Sequence, residues 1–396
     1  MRYLTAGESH GPCLTAMVEG LPSHMPVAVE DINIQLARRQ EGYGRGERMK
    51  IEKDEVKILS GVRFSRTTGG PLTLQILNKD FESWKDVMSV QGPAVTRRRI
   101  HCPRPGHADL AGGIKYLHRD LRDVLERSSA RETAIRVASC TLGRMLLKHF
   151  GVHVFSYVLA IGSVKVPEES RNLSYEDLER EAAASPVSCP HAESSLAMIE
   201  EIERARQQGD SLGGIIELVA LNLVPGLGSH VQWDRRLDGR LARALMSIQG
   251  IKGVEIGEGF ASAYKRGSQV HDPICLDEKK KIYRSSNRAG GLEGGITNGE
   301  PLVLRLAMKP IPTLTKPLPS VDLDTFSERP AQAERSDTCA VHAAAVVAEA
   351  VVAWELALAY REKFSGDSLE EMIGAYKHYC CLVEDYLAGK WKRPML

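Results

Sequence analysis

Apolar and polar positions alternate from the start of the chain. Arg2–Ala6 has strand character and stops at a glycine-flanked loop. Leu14–Val18 and Leu72–Leu77, where Thr and Gln alternate with Leu and Ile, predict two more half-buried strands. Between them, Glu30–Arg39 reads as a short helix with Ile32, Leu36 and Arg39 at helical spacing, ending before Gly42. From Ala108 to Phe150 the period is helical: Ile135, Ala138, Leu142 and Met145/Leu146 form one apolar stripe, closed by Gly151. Val152–Ile161 returns to strand character.

Pro167–Gly209 is polar and broken at Ser185-Pro186 and Cys189-Pro190. It reads as a surface insertion with helices at Tyr175–Ala183 and Ser195–Gln208. Strands are predicted at Gly214–Val224, Val254–Phe260 and Pro301–Lys309, with a helix across Asp234–Ser247. Lys265–Asn298 is Gly-rich and aperiodic and reads as one long loop. Cys339–Glu362 is rich in Ala and Val on several faces, the pattern of a helix buried all round, and Leu369–Leu387 is a further helix. Strands and helices do not alternate as a doubly wound sheet requires, so the reading is an α+β chain with antiparallel sheets packed on helices.

Composition narrows the function. With 52 Lys and Arg against 51 Asp and Glu, the net charge of +1 offers no global attraction to nucleic acid or membrane. Aromatics at 6% leave little for base stacking. No uninterrupted apolar run long enough to span a bilayer is seen, and Met1–Leu4 leads directly into the first loop without the pattern of a targeting peptide. Eight cysteines without a C-x-x-C pair read as reduced thiols of a cytoplasmic enzyme, with neither a disulfide frame nor a metal site.

Candidate chemistry clusters in a few segments. Gly7-Glu8-Ser9-His10-Gly11 presents a hydroxyl and an imidazole on a tight loop, and imidazole is the side chain best suited to proton exchange near neutral pH. In Arg38–Lys50, four arginines and a lysine surround Gly42, Gly44 and Gly46, a composition suited to phosphate or carboxylate. Arg104-Pro105-Gly106-His107 precedes a helix start, where free N–H groups favour an anion. Arg127-Ser128-Ser129 precedes another, with Ser129 a candidate cap for Glu132 or Thr133. Lys309-Pro310-Ile311-Pro312-Thr313 is a proline-stiffened strand exit. Asp337, ahead of the Ala/Val-rich helix, reads equally as an N-cap or as a reactive carboxylate. Gly209–Gly214 is superficially similar to the nucleophile motif of secreted serine proteases. The companion histidine context and disulfides are absent, and a turn into a strand fits better.

Together these segments resemble the chorismate synthase family nearly end to end, from Gly7–Gly11 through Arg38–Lys50, Arg104–Asp109, Glu126–Thr133, Gly209–Gly214, Gly294–Gly299 and Lys309–Thr313 to Arg335–Ala345. The resemblance implies a single domain spanning 1–396, built as a β-α-β sandwich of central helices between two antiparallel four-stranded sheets and assembled as a homotetramer. It implies a lyase that uses reduced FMN to eliminate phosphate from 5-enolpyruvylshikimate 3-phosphate. It also implies that His10, His107 and Asp337 are catalytic, with His10 serving the flavin and His107 the phosphate. Ser9, Arg39, Arg45, Arg48, Arg104 and Arg131 would bind substrate. Arg127, Ser128, Ser129, Gln249, Gly250, Gly294, Lys309 to Thr313 and Arg335 would bind the flavin. Electrons would come from an external flavin reductase or from NADPH. Two positions depart from the family pattern: Gly250 follows Gln249 in place of Ala, and His342 follows Val341 in place of Pro. An NADPH-dependent oxidoreductase and an RNA or polyanion binder are the competing classes.

Overall fold

The computed structural model describes residues 1–46, 52–332 and 336–391, so Arg48 and Arg335 lie outside the described residues. Strands β1 (Arg2–Ala6), β2 (Cys13–Glu19), β3 (Val56–Ser60) and β4 (Leu72–Leu77) form an antiparallel sheet in the order β1-β2-β4-β3. Successive strand side chains point to opposite faces. Leu14, Ala16, Val18, Leu72, Leu74 and Ile76 are therefore buried together, while Leu4, Met17, Leu59 and Leu77 face outward.

A second antiparallel sheet contains β5 (His153–Ile161), β6 (Val164–Lys165), β7 (Gly214–Leu221), β8 (Ile251–Ile256) and β9 (Leu302–Met308) in the order β8-β9-β7-β5-β6. It has the four expected strands plus the two-residue β6, which folds back on the end of β5. The periodicity readings for Gly214–Val224 and Val254–Phe260 run past these strands. Gly259–Tyr264 is a 3-10 turn.

Between the sheets lie α1 (Val29–Gln40), α2 (Thr133–Lys148) and α3 (Val341–Lys363), packed on one another, with α4 (Leu237–Met246) beside α3. The fold is the expected α+β sandwich. Length and apolar content alone would let α3 cross a membrane, but its most apolar stretch is 89% buried within the protein. It is a core helix, which explains why its apolar residues occupy every face. The carboxylate of Glu349 on α3 is buried between Arg38 of α1, at 2.8 Å, and Arg144 of α2, at 2.9 Å. Ser156 of β5 donates to it as well, at 2.7 Å.

Within 167–209, Tyr175–Ala184 and Ala192–Gln208 are helical and bury Leu178, Met198 and Ile202 in the same core as the sheets. Lys265–Asn298 is more ordered than a long loop. It holds a ribbon of Ile274–Leu276 on Ile282–Arg284 and another of Leu292–Glu293 on Ile296–Thr297. Asp272 ties the segment together by accepting from Ser286 Oγ and from the N–H groups of Arg288 and Ala289. Runs of two or three residues are too short for alternation to be visible.

Candidate active site

Both candidate histidines are held the same way. His10 Nδ1 lies 2.8 Å from Glu126 Oε1, and that carboxylate also takes Arg122 Nη1 at 3.1 Å. His107 Nδ1 lies 2.5 Å from Asp109 Oδ1, and Asp109 accepts a two-point fork from Arg104, Nε at 2.8 Å and Nη2 at 3.0 Å. An ionised carboxylate can only accept, so each Nδ1 carries hydrogen and proton exchange falls to Nε2. Burial alone would raise both carboxyl pKa values. For Asp109, the hydrogen bonds from His107 and Arg104 outweigh burial and hold it well below the usual range. For Glu126 the bonds from His10 and Arg122 likewise win. The site thus has two Arg–carboxylate–imidazole triads.

Local structure explains each placement. Pro105-Gly106 turns the chain ahead of the helix Asp109–Tyr116, so His107 precedes the helix start and Asp109 opens it. His10 sits on the loop between β1 and β2, and its backbone N–H also donates to Glu126, on the helix Arg122–Ser128, at 2.7 Å. Ser9 is buried on the same loop and accepts from Ser129 Oγ at 3.2 Å. The His10 ring stacks on Trp84 with centroids 3.9 Å apart, and the Arg98 guanidinium lies 4.0 Å from the Trp84 ring centroid. Trp84 carried no signal in the sequence, and Glu126 opened a motif segment without an assigned role: it is 116 residues from His10, and nothing local pairs the two.

Beside this loop, Arg39 and Arg131 share buried Asp54 at 3.4 and 2.6 Å, and Glu52 lies 3.8 Å from Arg131. Arg39 also donates to Thr133 Oγ1 and the Ala130 carbonyl. Burial draws its pKa down to about 10 despite Asp54. Arg131 Nε donates to Asn78 Oδ1, while its buried Nη2 has no hydrogen-bond partner among the described residues. Gly42 and Gly44 have φ of +105° and +88°, which side chains rarely adopt, and they bring Arg45 to within 3.2 Å of Asp337. Asp337 also accepts from Gly46 N at 2.6 Å. It is not the helix cap, a position held by Ala340.

These groups belong to one closed circuit. From Asp337 the chain leads to Thr338, whose carbonyl accepts from Leu212 N at 2.8 Å, while neighbouring Ser211 Oγ donates to the Ile311 carbonyl at 2.6 Å. Two residues before Ile311, Lys309 N donates to the Gly250 carbonyl at 2.9 Å, and Gln249 Nε2 reaches Glu132 at 3.4 Å. Glu132 adjoins Arg131, which returns through Asp54 to Arg39 and the Gly42–Arg45 turn. The second histidine joins at Lys309, whose Nζ donates to the Gly106 carbonyl, and at Thr313, which accepts from Arg104. Pro312 packs beside Gly106.

Arg127 donates to the Gly7 and Thr5 carbonyls on the rim, and Ser128 Oγ donates back to the Leu125 carbonyl. Ser129 caps the turn Ala130–Glu132 through Arg131 N. Gly250 meets its neighbour through its backbone, so its lack of a side chain costs nothing there. Gly294 stands apart from the circuit, in the turn of the Leu292–Thr297 ribbon near His230. Outside the circuit, His101, Cys102 and Asp322 bring ligand-type atoms within 4.8 Å, but the Asp322 oxygens already take Arg329 and the N–H groups of Asp324 and Thr325.

The chorismate synthase family model matches residues 1–360. Chorismate synthase of Desulforamulus reducens is 58% identical over 94% of this chain and 96% of that protein. That of Brevibacillus brevis is 54% identical over 98% and 100%. A crystal structure of a chorismate synthase superposes with a TM-score of 0.78 at 43% identity, covering 97% of this chain and 98% of the other. Matches of this extent, on a fold that closes the motif residues into one circuit, place the chain in the chorismate synthase family.

Proposed function

We propose that this enzyme converts 5-enolpyruvylshikimate 3-phosphate into chorismate and inorganic phosphate by an anti-1,4-elimination that requires reduced FMN. This would be the step of aromatic amino-acid biosynthesis that the family carries out. The observation that carries the reading is the pair of Arg–carboxylate–imidazole triads on one arginine-lined circuit: two proton donors, held alike, for two separate tasks. In the elimination the C3–O bond to phosphate and a C6–H bond break, and the net redox state of the substrate is unchanged. His107 would exchange its proton at Nε2, which faces Arg104 Nη2 at 3.2 Å, with the departing phosphate oxygen, and Arg104 would meet the phosphate charge. Arg39, Arg45, Arg131 and, outside the described residues, Arg48 would offer guanidinium donors to the substrate carboxylates. Ser9 backs the His10 loop. Asp337, fixed by Arg45 and Gly46 N, accepts a proton at its carboxylate.

A flavin fits the donor set. Gln249 Oε1 and Arg131 Nη2 are buried polar atoms without a hydrogen-bond partner among the described residues, the first an acceptor and the second a donor. Lys309, Arg127, Ser128, Ser129, Thr313 and, outside the described residues, Arg335 suit a phosphate and a polyol, with Gly250 and Pro310 to Pro312 as backbone walls; Gly294, apart from the circuit, does not join them. Reduced FMN, when bound, supplies transient electron density. His10, with Nδ1 committed to Glu126, would exchange a proton with the flavin through Nε2.

Leu4, Met17, Leu59 and Leu77 leave an apolar outer face on the first sheet. Self-association would cover it, in keeping with a homotetramer in the cytoplasm. The deciding experiment is anaerobic turnover of the substrate with photoreduced FMN, read as phosphate release. No release overturns the reading. Replacing photoreduction with NADPH plus oxidised FMN then separates self-reduction from dependence on an external flavin reductase.

A further inference from the structure

The Gly42–Arg45 turn is gripped from outside the circuit, by residues that the proposed reaction does not use. His342, in the first turn of α3, lies against it so closely that a Cβ on Gly42 would fall 2.9 Å from the imidazole Cγ and Cδ2. Its Nε2 is 3.0 Å from the carbonyl of Arg38, in the last turn of α1, and its Nδ1 is 2.6 Å from Ser188 Oγ. A carbonyl only accepts, so Nε2 carries the hydrogen and Nδ1 accepts from the serine. Both ring nitrogens are thereby committed, and neither is left for Asp337. Ser188 is itself anchored, its carbonyl accepting from Val158 N on β5 at 2.8 Å.

The same polar segment holds the turn at three more points. Tyr43 N donates to the Pro186 carbonyl at 3.0 Å, and Tyr43 Oη donates to Glu203 Oε1 at 2.6 Å. Gly44 is closed in by Ile202 Cγ2 and Cys339 Cβ, which a Cβ there would meet at 3.0 and 3.1 Å. One end of the turn is thus tied to α1 and α3, and its middle to residues 186–203.

We propose that His342, Ser188 and the Tyr43 contacts form a clamp that positions Arg45 against Asp337, and that holding this turn is the function of the 186–203 part of the polar segment. His342 is a positioning residue, acting through the Arg38 carbonyl and Gly42. Burial lowers its pKa; the bond to the Arg38 carbonyl opposes this, as does Glu41, but the charges of Arg38 and Arg45 add to the lowering, so the imidazole is neutral at physiological pH. The neutral ring has the donor and acceptor pattern that the clamp requires. The clamp rests on the functional reading above only for its kinetic readout.

The test compares H342A, S188A, H342Q and Y43F with the wild type in the full-length enzyme. H342A and S188A are expected to raise KM for 5-enolpyruvylshikimate 3-phosphate about three- to tenfold, the worth of a hydrogen bond or two, with kcat and FMN affinity within about twofold. In H342Q the amide nitrogen can still donate to the Arg38 carbonyl, and most of the KM should return. An unchanged KM in folded H342A, or no rescue by H342Q, overturns the clamp. If H342A does not fold, Y43F decides, since it loses only the bond to Glu203: a raised KM supports the clamp and an unchanged one overturns it. Tryptic cleavage after Arg45, timed on the folded proteins, reads the turn without turnover. Faster cleavage in H342A and Y43F is expected, and equal rates overturn the proposal. A wild-type enzyme that releases no phosphate sinks the functional reading, while the cleavage rates still decide the clamp.

Discussion

Replacing Glu349 with Gln removes one negative charge from the centre of the sandwich and little else. The carboxylate is 1% exposed and joins α1, α2, α3 and β5 through Arg38, Arg144 and Ser156. Burial pushes its pKa up, but the charges of Arg38 and Arg144 and the bonds from Arg38 and Ser156 win, taking it from the ordinary 4.5 to about 2. At about 1.4 kcal/mol for each pH unit, that difference corresponds to roughly 3 kcal/mol of folding free energy at neutral pH. Arg38 and Arg144 are 35% and 26% exposed, so once unpaired they regain part of their hydration. The expected cost is therefore about 2–3 kcal/mol, below the range for breaking a fully buried pair.

For 396 residues, at about 2.1 cal/mol/K each, one kcal/mol moves the melting temperature by about 1.2 °C, so E349Q should melt about 3 °C below wild type. Calorimetry at matched concentration and scan rate measures this. The folded pKa lies below the unfolded one, so the stabilisation is complete above pH 4.5 and is lost as pH falls toward 2. The gap should narrow to about 2 kcal/mol or less by pH 3.5. E349Q melting within about 1 °C of wild type at pH 7, or a gap that does not change with pH, would refute the reasoning.

Replacing His107 with Ala should slow turnover about 10²–10⁴-fold while FMN binding persists, and unchanged turnover removes His107 from the mechanism. D337N keeps an oxygen to accept from Gly46 N but loses the ionisable group. Its melting temperature should stay within about 2 °C of wild type, with turnover largely lost, and a large loss of stability would assign Asp337 a structural role instead. For Trp84 the stack on His10 predicts that W84F retains most activity, whereas W84A loses about two- to tenfold in kcat, the worth of one aromatic pair. Equal activity in the two variants would detach the indole from His10.

The elements whose pattern is long or strongly one-sided were legible. Arg2–Ala6, Leu72–Leu77 and Leu369–Leu387 stand where alternation or periodicity put them. Strand ends were less so, because Leu223 and Val224 stay buried after β7 has stopped pairing, and apolar content cannot distinguish the two. Site residues in contiguous motifs could be read, His107 with Asp109 two positions on among them. The partners that give those residues their properties could not. Glu126, Asp54 and Trp84 meet His10, Arg131 and Arg39 only through tertiary folding. Asp337 shows the limit well: a carboxylate ahead of a helix reads equally as an N-cap or as a reactive group, and only the turn carrying Arg45 ties it to the other motif residues.

The circuit draws on the first strands, the end of α1, both triad helices, the exit of β9 and the start of α3, so no contiguous piece of the chain contains it. A molecule that spans it can bind only the completed fold. Ligand occupancy and folding are then thermodynamically linked: a compound at a hundred times its Kd adds about 2.7 kcal/mol to the stability of every element at once. Melting temperature thereby becomes a gauge of ligand affinity, open to compounds that are never turned over.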